Sequence, residues 1–303
     1  MGLCRWPPRS QRSTAHEFPG KVCSRLVKRV GILFNAGLES ARALATEMER
    51  FIPSLGAAVW CCPALNEEAA RSLMPGSALV LSLGGDGTIL RAARAAAAFA
   101  VPILGVNLGR LGFIAEVGPQ DLRQKLPGFL AGEGWVEERA MLQVECLPPG
   151  GDGRSLHGLN DAVVARGEAV RVVYVKVAVD GEPLTTFKGD GIIVATATGS
   201  TGYALSAGGP ILYPQARELV LQPVAPHLSW RAPLVLPPDT VVDMEVFSDH
   251  PAAMSLDGQV TVPLASGDRV RARRSPYLAR FLRTEPPGFF YRTLGQRLAD
   301  KLG

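Results

Sequence analysis

The sequence predicts an α/β domain with a parallel sheet, followed by an all-β domain of packed sheets. Two observations support this. Apolar strand segments alternate with helical segments up to about residue 134, and short β-branched segments separated by turn residues follow. A chain of 303 residues has room for two such domains and can bury most of the surface that its unfolded form exposes.

The first part of the chain reads as a series of strand–helix units. Strands are expected at 30–34, 57–61, 78–83 and 101–106, and helices at 40–51, 67–74 and 89–99. Each strand is a short apolar run, and the helical segments repeat Ala, Leu and Met at helical spacing. Strands and helices that alternate at this spacing indicate a parallel sheet with helices on its faces.

After Gly134 the segments become short, β-branched and separated by Gly, Pro and Asp. Strands are expected at 141–147, 161–165, 170–179, 192–196, 241–247 and 270–274. Val179–Glu182 and Leu256–Gln259 each contain Asp-Gly, a hairpin-turn signal. The predicted organisation is a flexible tail or mis-assigned start at 1–27, the α/β domain at 28–134, a β-rich domain at 135–275, and a C-terminal segment at 276–303 that returns to the first domain.

Composition narrows the class of protein. The net charge is only +4, with Lys and Arg scattered along the chain, so nucleic acid is not an expected partner. No apolar run reaches the roughly 20 residues that span a bilayer, so no membrane association is expected. The five cysteines form no CxxC pair and read as reduced thiols of a cytoplasmic protein. The four histidines form no HExxH motif, and no direct protein cluster for a metal is predicted.

A glycine-rich loop, Gly84–Thr88, follows the third predicted strand. Its glycines allow a tight turn, and the N–H groups that open the next helix favour phosphate. Asp86 would be repelled by phosphate unless a metal ion or a substrate hydroxyl lay between them, which is the arrangement of a phosphoryl-transfer site. The alternative is an ordinary strand-to-helix turn in which Asp86 caps the helix.

A second loop concentrates polar and small residues in the β-rich part. Lys188–Gly191 opens an apolar strand, and Thr196–Tyr203 follows it with hydroxyls, glycines and one aromatic ring. Hydroxyls and backbone N–H groups suit a nucleotide, and small residues admit its close approach. A turn-rich β connection is the alternative reading.

Five separated segments resemble the NAD kinase family, in the family's order, from about Lys28 to the C-terminus. They are Gly84–Thr88, Asn107–Phe113, Leu159–Asp161, Gly189–Pro210 and Leu256–Gln259. The resemblance implies a diacylglycerol-kinase/phosphofructokinase-like α/β domain and a β domain. It also implies transfer of the terminal phosphoryl group of ATP, or of polyphosphate, to the 2′-hydroxyl of the adenosine ribose of NAD.

The same resemblance implies roles for individual residues, with Asp86 as the catalytic base. The residues implied to bind substrate or nucleotide are Gly84, Gly85, Gly87, Thr88, Arg91, Asn160, Asp161, Arg171, Lys188, Asp190, Thr198, Gly199, Ser200, Thr201, Gly202, Tyr203, Ala204, Leu205, Ser206 and Gln259. Mg²⁺ or another divalent metal bound with ATP is implied as cofactor. A homodimer or homotetramer is implied as the assembly, and association would complete the site.

The second loop departs from the family at two positions. Ala197 stands where the family commonly has Pro, and Gly202 where it has Ala. Both replacements are small, so the cavity should survive with a less rigid loop. Two other functions remain open: a diacylglycerol- or sphingoid-type lipid kinase, which needs an apolar substrate cavity, and a non-catalytic NAD-sensing module, which has no use for Asp86.

Overall fold

The computed structural model describes residues 29–109, 112–148, 153–167, 171–227, 230–248 and 250–302. The predicted tail at 1–27 lies outside these residues, as do Arg110 and Leu111 of the Asn107–Phe113 segment and the first residue of the strand predicted at 170–179.

The helices and strands alternate in the first part of the chain, and strands dominate the second. The helices are α1 (Glu39–Ser54), α2 (Glu67–Leu73), α3 (Asp86–Ala96), α4 (Pro119–Leu130), α5 (Tyr203–Ser206) and α6 (Phe289–Leu302). The strands are β1 (Arg29–Phe34), β2 (Ala58–Pro63), β3 (Leu79–Gly84), β4 (Ile103–Asn107), β5 (Trp135–Leu147), β6 (Arg154–Gly158), β7 (Asp161–Arg166), β8 (Val173–Val179), β9 (Glu182–Gly189), β10 (Gly191–Ala195), β11 (Leu219–Val224), β12 (Leu234–Leu236), β13 (Val241–Phe247), β14 (Ala252–Leu256), β15 (Val260–Leu264) and β16 (Arg269–Arg283).

Two sheets organise the described chain. The larger one follows the order β2-β1-β3-β4-β16-β13-β8-β9, with β5 paired to β16 and β6 to β5. Its first four strands are parallel, and the helices of the α/β part pack on their faces. The smaller sheet is antiparallel, in the order β12-β11-β10-β7-β14-β15. The predicted fold class, a parallel α/β layer followed by packed β-sheets, is confirmed.

Strand β16 joins the two parts of the molecule. It is antiparallel to β5 and β13, and its far end is parallel to β4, where Phe281 lies opposite Ile103. The boundary predicted between residues 275 and 276 therefore falls inside a single strand, and the domain limits stay predictions. Beyond β16, Leu294 and Leu298 of α6 pack against the core of the α/β part.

Separate apolar cores support the layers. One core lies on each face of the parallel sheet, under α2 and α3 on one side and under α1 and α4 on the other. A third core fills the space between the two sheets of the β part, with Val194, Met244 and Val270 fully buried. A smaller cluster on the outer face of the six-stranded sheet packs under Ala204 of α5, which holds the second loop in place.

Both predicted hairpin turns are present. Asp180 and Gly181 have φ of 52° and 86° between β8 and β9, and Asp257 and Gly258 have φ of 53° and 64° between β14 and β15. Two successive residues with positive φ match the twist of a hairpin, and Asp-Gly adopts them readily. No helix in the described part of the chain is long and apolar enough to cross a bilayer.

Two glycines provide a test of packing in the α/β layer. A Cβ at Gly31 would lie 2.2 Å from the ring of Trp60, which is buried and donates a hydrogen bond to Ser77. We expect Gly31→Ala to lower the free energy of unfolding by about 1–3 kcal/mol, because the ring cannot move without repacking. Urea titration followed by tryptophan fluorescence measures the effect.

The matched control is Gly295→Ala. Gly295 lies on the exposed side of α6, and a Cβ there meets nothing within 4 Å. Alanine should stabilise that helix by about 0.5–1 kcal/mol because glycine loses more backbone entropy. Equal effects of the two alanines would contradict the packing that we describe at Gly31.

Candidate active site

A cavity of about 290 Å³ opens at the carboxyl ends of the first parallel strands. Open α/β sheets bind ligands beyond the carboxyl ends of their strands, beside the N-termini of helices. The cavity is lined by Phe34, Asn35, Ala64, Leu65, Gly85, Gly87, Thr88, Arg91 and Gln259. Several residues that the sequence assigned to nucleotide binding therefore border one space.

The glycine loop turns directly from β3 into α3. Gly85 occupies the N-cap position and Asp86 is the first helical residue, so Asp86 does not cap the helix as the alternative reading had it. Gly84 packs against Thr88, whose Oγ1 would lie 2.3 Å from a Cβ at Gly84. The first N–H groups of a helix lack partners within it, and the helix dipole adds positive potential there. The loop thus presents an anion-binding backbone to the cavity.

The carboxylate of Asp86 lies under the segment that follows β4. Its Oδ2 accepts a hydrogen bond from the N–H of Phe113 at 3.2 Å, and its Oδ1 is buried without a hydrogen-bond partner among the described residues. A Cβ at Gly112 would lie 2.1 Å from Oδ1, so only glycine lets the segment come this close. A carboxylate oxygen with spare hydrogen-bonding capacity beside an anion-binding backbone can orient a substrate hydroxyl and accept its proton.

Buried ion pairs hold this covering segment. The Arg283 guanidinium donates to the carbonyl of Ile114 at 2.6 Å, to Glu116 at 3.0 Å and to Glu137 at 2.6 Å. Arg139 also pairs with Glu137. Burial alone would raise the pKa of Glu137, but the two arginines outweigh it and lower that pKa. The charges fix the backbone that leads to Phe113 and so the hydrogen bond to Asp86.

The second loop packs directly on the Asn160–Asp161 pair. Thr196 donates its N–H to the carbonyl of Asn160 at 2.9 Å and its hydroxyl to the carbonyl of Leu159 at 2.6 Å. A Cβ at Gly199 would lie 2.1 Å from the Asn160 carbonyl oxygen, so this glycine is needed for the approach. The structure therefore brings together two motifs that lie about 40 residues apart in the sequence.

Two hydroxyls of the second loop form hydrogen bonds with the loop itself and with the segment that follows it. Ser200 donates to the Ala197 carbonyl and accepts from the Leu212 N–H, and Thr201 donates to the Thr198 carbonyl. These hydroxyls shape the loop. A Cβ at Gly202 would lie 3.2 Å from the Gly199 carbonyl oxygen, which is tighter than most side-chain contacts, so the alanine usual in the family would need a small shift of the loop. Tyr203 and Ser206 are exposed, Leu205 is half-buried, and Ala204 is buried.

Three predicted site residues carry a buried polar atom without a protein partner in the described part of the chain. They are Asp86 Oδ1, Asn160 Oδ1 and Thr198 Oγ1. Native proteins leave few buried polar atoms unpaired, since each costs about 1–3 kcal/mol. The unpaired atoms of these three motifs have hydrogen-bonding capacity that a ligand could use.

The hairpin turn between β14 and β15 connects the Asn160–Asp161 pair to the glycine loop. Asp257 Oδ1 accepts from the N–H groups of Asn160 and Asp161 at 2.7 and 3.3 Å, and its Oδ2 accepts from the N–H of Leu159 at 3.0 Å. The same carboxylate pairs with Arg94 of α3 at 3.0 Å. Sequence reasoning identified the turn but not its partner Arg94.

Burial and then the neighbouring Asp257 carboxylate raise the pKa of Asp161 from 3.8 to about 7. Asp161 is only 5% exposed, so its ionised form is poorly hydrated in the folded chain. The same carboxyl is well hydrated in the unfolded chain.

Three predicted residues lie apart from this cluster. Asp190 pairs with Arg166 at 3.0 Å, and the amine of Lys188 lies over the ring of Tyr174. Arg171 is exposed just before β8. Arg166 and Asp161 stand at opposite ends of β7, about 17 Å apart for the usual rise per residue. Lys188 and Asp190 therefore do not meet Asn160 and Asp161 within one chain.

The fold and the site together define a class of protein. A glycine loop presents backbone N–H groups at a helix N-terminus, a carboxylate with an unpaired oxygen sits in that loop, and the Asn160 and Thr198 motifs add further unpaired groups. This arrangement is that of a phosphotransferase acting on a hydroxyl-bearing substrate.

Comparison with known proteins identifies the family. The model of the ATP-NAD kinase N-terminal domain matches residues 9–134, and that of the ATP-NAD kinase C-terminal domain matches residues 159–284. The chain is 42% identical to an NAD kinase of Dehalococcoides mccartyi over 90% of this chain and 96% of that protein. It is 39% identical to an NAD kinase of Chloroflexus aurantiacus over 90% of this chain and 99% of that protein. The chain belongs to the ATP-NAD kinase family.

Solved structures show the same fold. An NAD kinase from Archaeoglobus fulgidus in complex with ATP aligns with a TM-score of 0.71 and 27% identity, over 90% of this chain and 99% of that one. Yeast NADH kinase in complex with NADH aligns with a TM-score of 0.77 and 24% identity, over 93% of this chain and 91% of that one.

The raised pKa of Asp161 predicts how stability depends on pH. Because the folded chain holds this proton more tightly than the unfolded chain, the stabilisation is complete below pH 3.8 and is lost as pH rises towards about 7. Asp161→Asn has no carboxyl to titrate, so this loss of stability does not occur. The variant should therefore gain stability relative to wild type between pH 5 and pH 8, by on the order of 3 kcal/mol. Urea unfolding at several pH values measures it.

The control is Glu182→Gln, which neutralises an exposed acid on β9. The difference in free energy of unfolding between this variant and wild type should stay flat over the same pH range, because the side chain is exposed on the surface. A flat difference for Asp161→Asn as well would contradict the raised pKa.

Proposed function

We propose that this chain transfers the terminal phosphoryl group of ATP to the 2′-hydroxyl of the adenosine ribose of NAD, forming NADP. The observation that carries the proposal is the unpaired oxygen of Asp86 in the glycine loop, together with the unpaired groups of Asn160 and Thr198. Hydrogen bonds through Gln259, Arg94 and Asp257 connect the glycine loop to Asn160. Membership of the ATP-NAD kinase family supplies the substrates. In this reading NAD lies in the cleft between the α/β layer and the six-stranded sheet.

We assign the donor to the cavity at the ends of β1, β2 and β3. The N–H groups that open α3 favour the phosphates, and Arg91 brings a positive charge to the wall. Arg91 is held 3.4 Å from Glu67, a distance at which the guanidinium keeps donors for another anion. The Archaeoglobus fulgidus relative, which was solved with ATP, supports ATP as the donor.

Asp86 orients the acceptor hydroxyl and receives its proton in this mechanism. Phosphoryl transfer proceeds through a loose transition state that demands positioning and charge neutralisation more than strong base catalysis. Phe113 holds one carboxylate oxygen through its N–H, which leaves Oδ1 for the substrate. Asn160 and Thr198 supply the hydrogen bonds that keep the dinucleotide in place.

A divalent metal, Mg²⁺ in the first instance, is proposed to accompany ATP. In the described residues no three His, Cys, Asp or Glu side chains gather into a metal site. Mg²⁺ in such enzymes is held mainly by substrate phosphates with one or two carboxylates, and the Asp86 carboxylate fits as the protein group beside it. When bound, the metal neutralises phosphate charge.

We further propose a homodimer or homotetramer in the cytoplasm, without nucleic acid or membrane as partner. The separation of Lys188 and Asp190 from Asn160 within one chain supports an assembly in which a second copy presents them to the dinucleotide. The free thiols of Cys61, Cys62 and Cys146 are consistent with a reducing compartment.

The central experiment follows NADP formation from NAD, ATP and Mg²⁺ with an NADP-specific dehydrogenase as the coupling enzyme. Wild type should form NADP. Turnover by Asp86→Asn should fall by about 10²-fold or more, because general-base contributions are about 10²–10⁴-fold. Its affinity for NAD, measured by calorimetry, should stay close to that of wild type.

Other results would change the reading. Wild type that phosphorylates lipid instead, or that binds NAD without turnover, would overturn the proposed function. An Asp86→Asn variant with near-normal turnover would leave NADP synthesis standing but remove Asp86 from the chemistry.

Arg91 is expected to act on the donor. Arg91→Gln should raise the KM for ATP about 10-fold with a smaller change in that for NAD, because a charge-assisted hydrogen bond contributes about 1.5–3 kcal/mol. Arg123→Gln is the control, since Arg123 of α4 forms an exposed ion pair with Glu47. Unchanged ATP kinetics in Arg91→Gln would refute the assignment of the donor cavity.

A further inference from the structure

Arg94 is a buried arginine that does not itself line the donor cavity. It is 5% exposed, although α3 is otherwise rich in alanine. Its guanidinium forms ion pairs with Glu67 and with Asp257, the latter at 3.0 Å. It also donates a hydrogen bond to Gln259 Oε1 at 2.7 Å. Burial alone would lower the pKa of Arg94, but the two carboxylates outweigh it and raise that pKa. Arg94 therefore stays charged at the junction of the two sheets.

Gln259 uses both ends of its amide at this junction. Its Oε1 accepts from Arg94, and its Nε2 donates to the carbonyl of Gly87 at 2.8 Å. A Cβ at Gly87 would lie 3.3 Å from Nε2, closer than most side-chain contacts, so glycine eases this approach. The amide thus grips the backbone of the glycine loop one residue after Asp86.

The contacts form a continuous path between the two halves of the site. From the Gly87 carbonyl the path runs through Gln259 to Arg94, then to Asp257 and to the N–H groups of Asn160 and Asp161. The path contains the side chains of Gln259, Arg94 and Asp257. Charge-assisted or amide hydrogen bonds set the geometry of each of them. A buried ion pair of this kind gives little net stability compared with apolar packing. Its effect is to hold two backbones in one relative position.

We propose that Arg94 and Gln259 are positioning residues for phosphoryl transfer. They hold the loop that carries Asp86 in register with the backbone that carries Asn160 and Asp161. The proposal rests on the proposed function and adds that Gln259 acts on the loop rather than on the nucleotide. In-line transfer needs the donor phosphate and the acceptor hydroxyl in one geometry, and a shift of about 1 Å can lower the rate about 10²-fold.

The decisive variant is Gln259→Glu, which keeps the shape and keeps an acceptor for Arg94. The carboxylate cannot donate to the Gly87 carbonyl, so the grip on the loop is lost while the rest of the path stays. We expect kcat to fall about 10- to 100-fold. The KM for NAD, and the Kd for NAD without ATP, should stay within about threefold of wild type because Asn160 and Asp161 keep their hydrogen bonds to Asp257.

Gln124→Glu makes the same chemical change on the exposed side of α4 and should leave kcat within about twofold. A second variant, Arg94→Lys, keeps one charge but cannot reach Asp257, Glu67 and Gln259 together. It should show the same fall in kcat, and the double variant Arg94→Lys/Gln259→Glu should lose no more than the larger single loss, because both changes break one path. If Gln259→Glu does not fold, Arg94→Lys is judged by the same criteria.

Two results would overturn the proposal. A raised KM for ATP with kcat retained would mean that Gln259 contacts the donor directly. Unchanged kinetics in Gln259→Glu, with wild type forming NADP normally, would mean that the path does not position the loop. Absence of NADP from wild type is a separate result, which contradicts the proposed function itself.

Discussion

The carboxylate of Asp257 is the contact on which the arrangement of the site depends. It accepts hydrogen bonds from three consecutive backbone N–H groups, those of Leu159, Asn160 and Asp161, and it pairs with Arg94 on the far side of the junction. A buried carboxylate is tolerated only when its lone pairs are satisfied, and here every partner also belongs to the site or to its support. One side chain therefore shapes the backbone of the Asn160–Asp161 pair and ties it to the α/β layer.

The buried polar groups of the candidate site fall into two sets: those that use their hydrogen-bonding capacity on protein groups, and those that keep an oxygen unpaired. At the junction, Asp257, Arg94 and Gln259 use their hydrogen-bonding capacity on one another and on backbone. By contrast, Asp86 and Asn160 each keep a buried oxygen without a partner among the described residues. The junction is therefore saturated with hydrogen bonds, whereas Asp86 and Asn160 keep capacity that a ligand could use without breaking existing hydrogen bonds. The raised pKa of Asp161 has the same origin, since the site crowds two carboxyls into a buried space.

Several elements could be predicted because their signals are local. The strands predicted at 241–247 and 161–165 and both Asp-Gly hairpins follow from short alternating patterns and from residues that accept positive φ. Helix α4 was not predicted, because Pro127 lies inside it and its polar residues hide the apolar face. Strand β16 was expected to end near residue 274, where its pairing with β5 shifts at Ser275 and Pro276, yet it continues to Arg283.

The sequence by itself determined the fold class, the glycine loop with Asp86, and the family. Glycine turns and apolar runs depend on neighbouring residues, and the order of the motifs can be read directly along the chain. Only the tertiary structure decided that Asp86 lies beneath Gly112 and Phe113, and that Arg94 meets Asp257, 163 residues away. An arginine in an alanine-rich helix reads as a solvated residue, since periodicity records burial but not the identity of the partner. The partner is set by how the six-stranded sheet packs against the larger sheet, and that packing brings the β14–β15 hairpin of the smaller sheet onto helix α3.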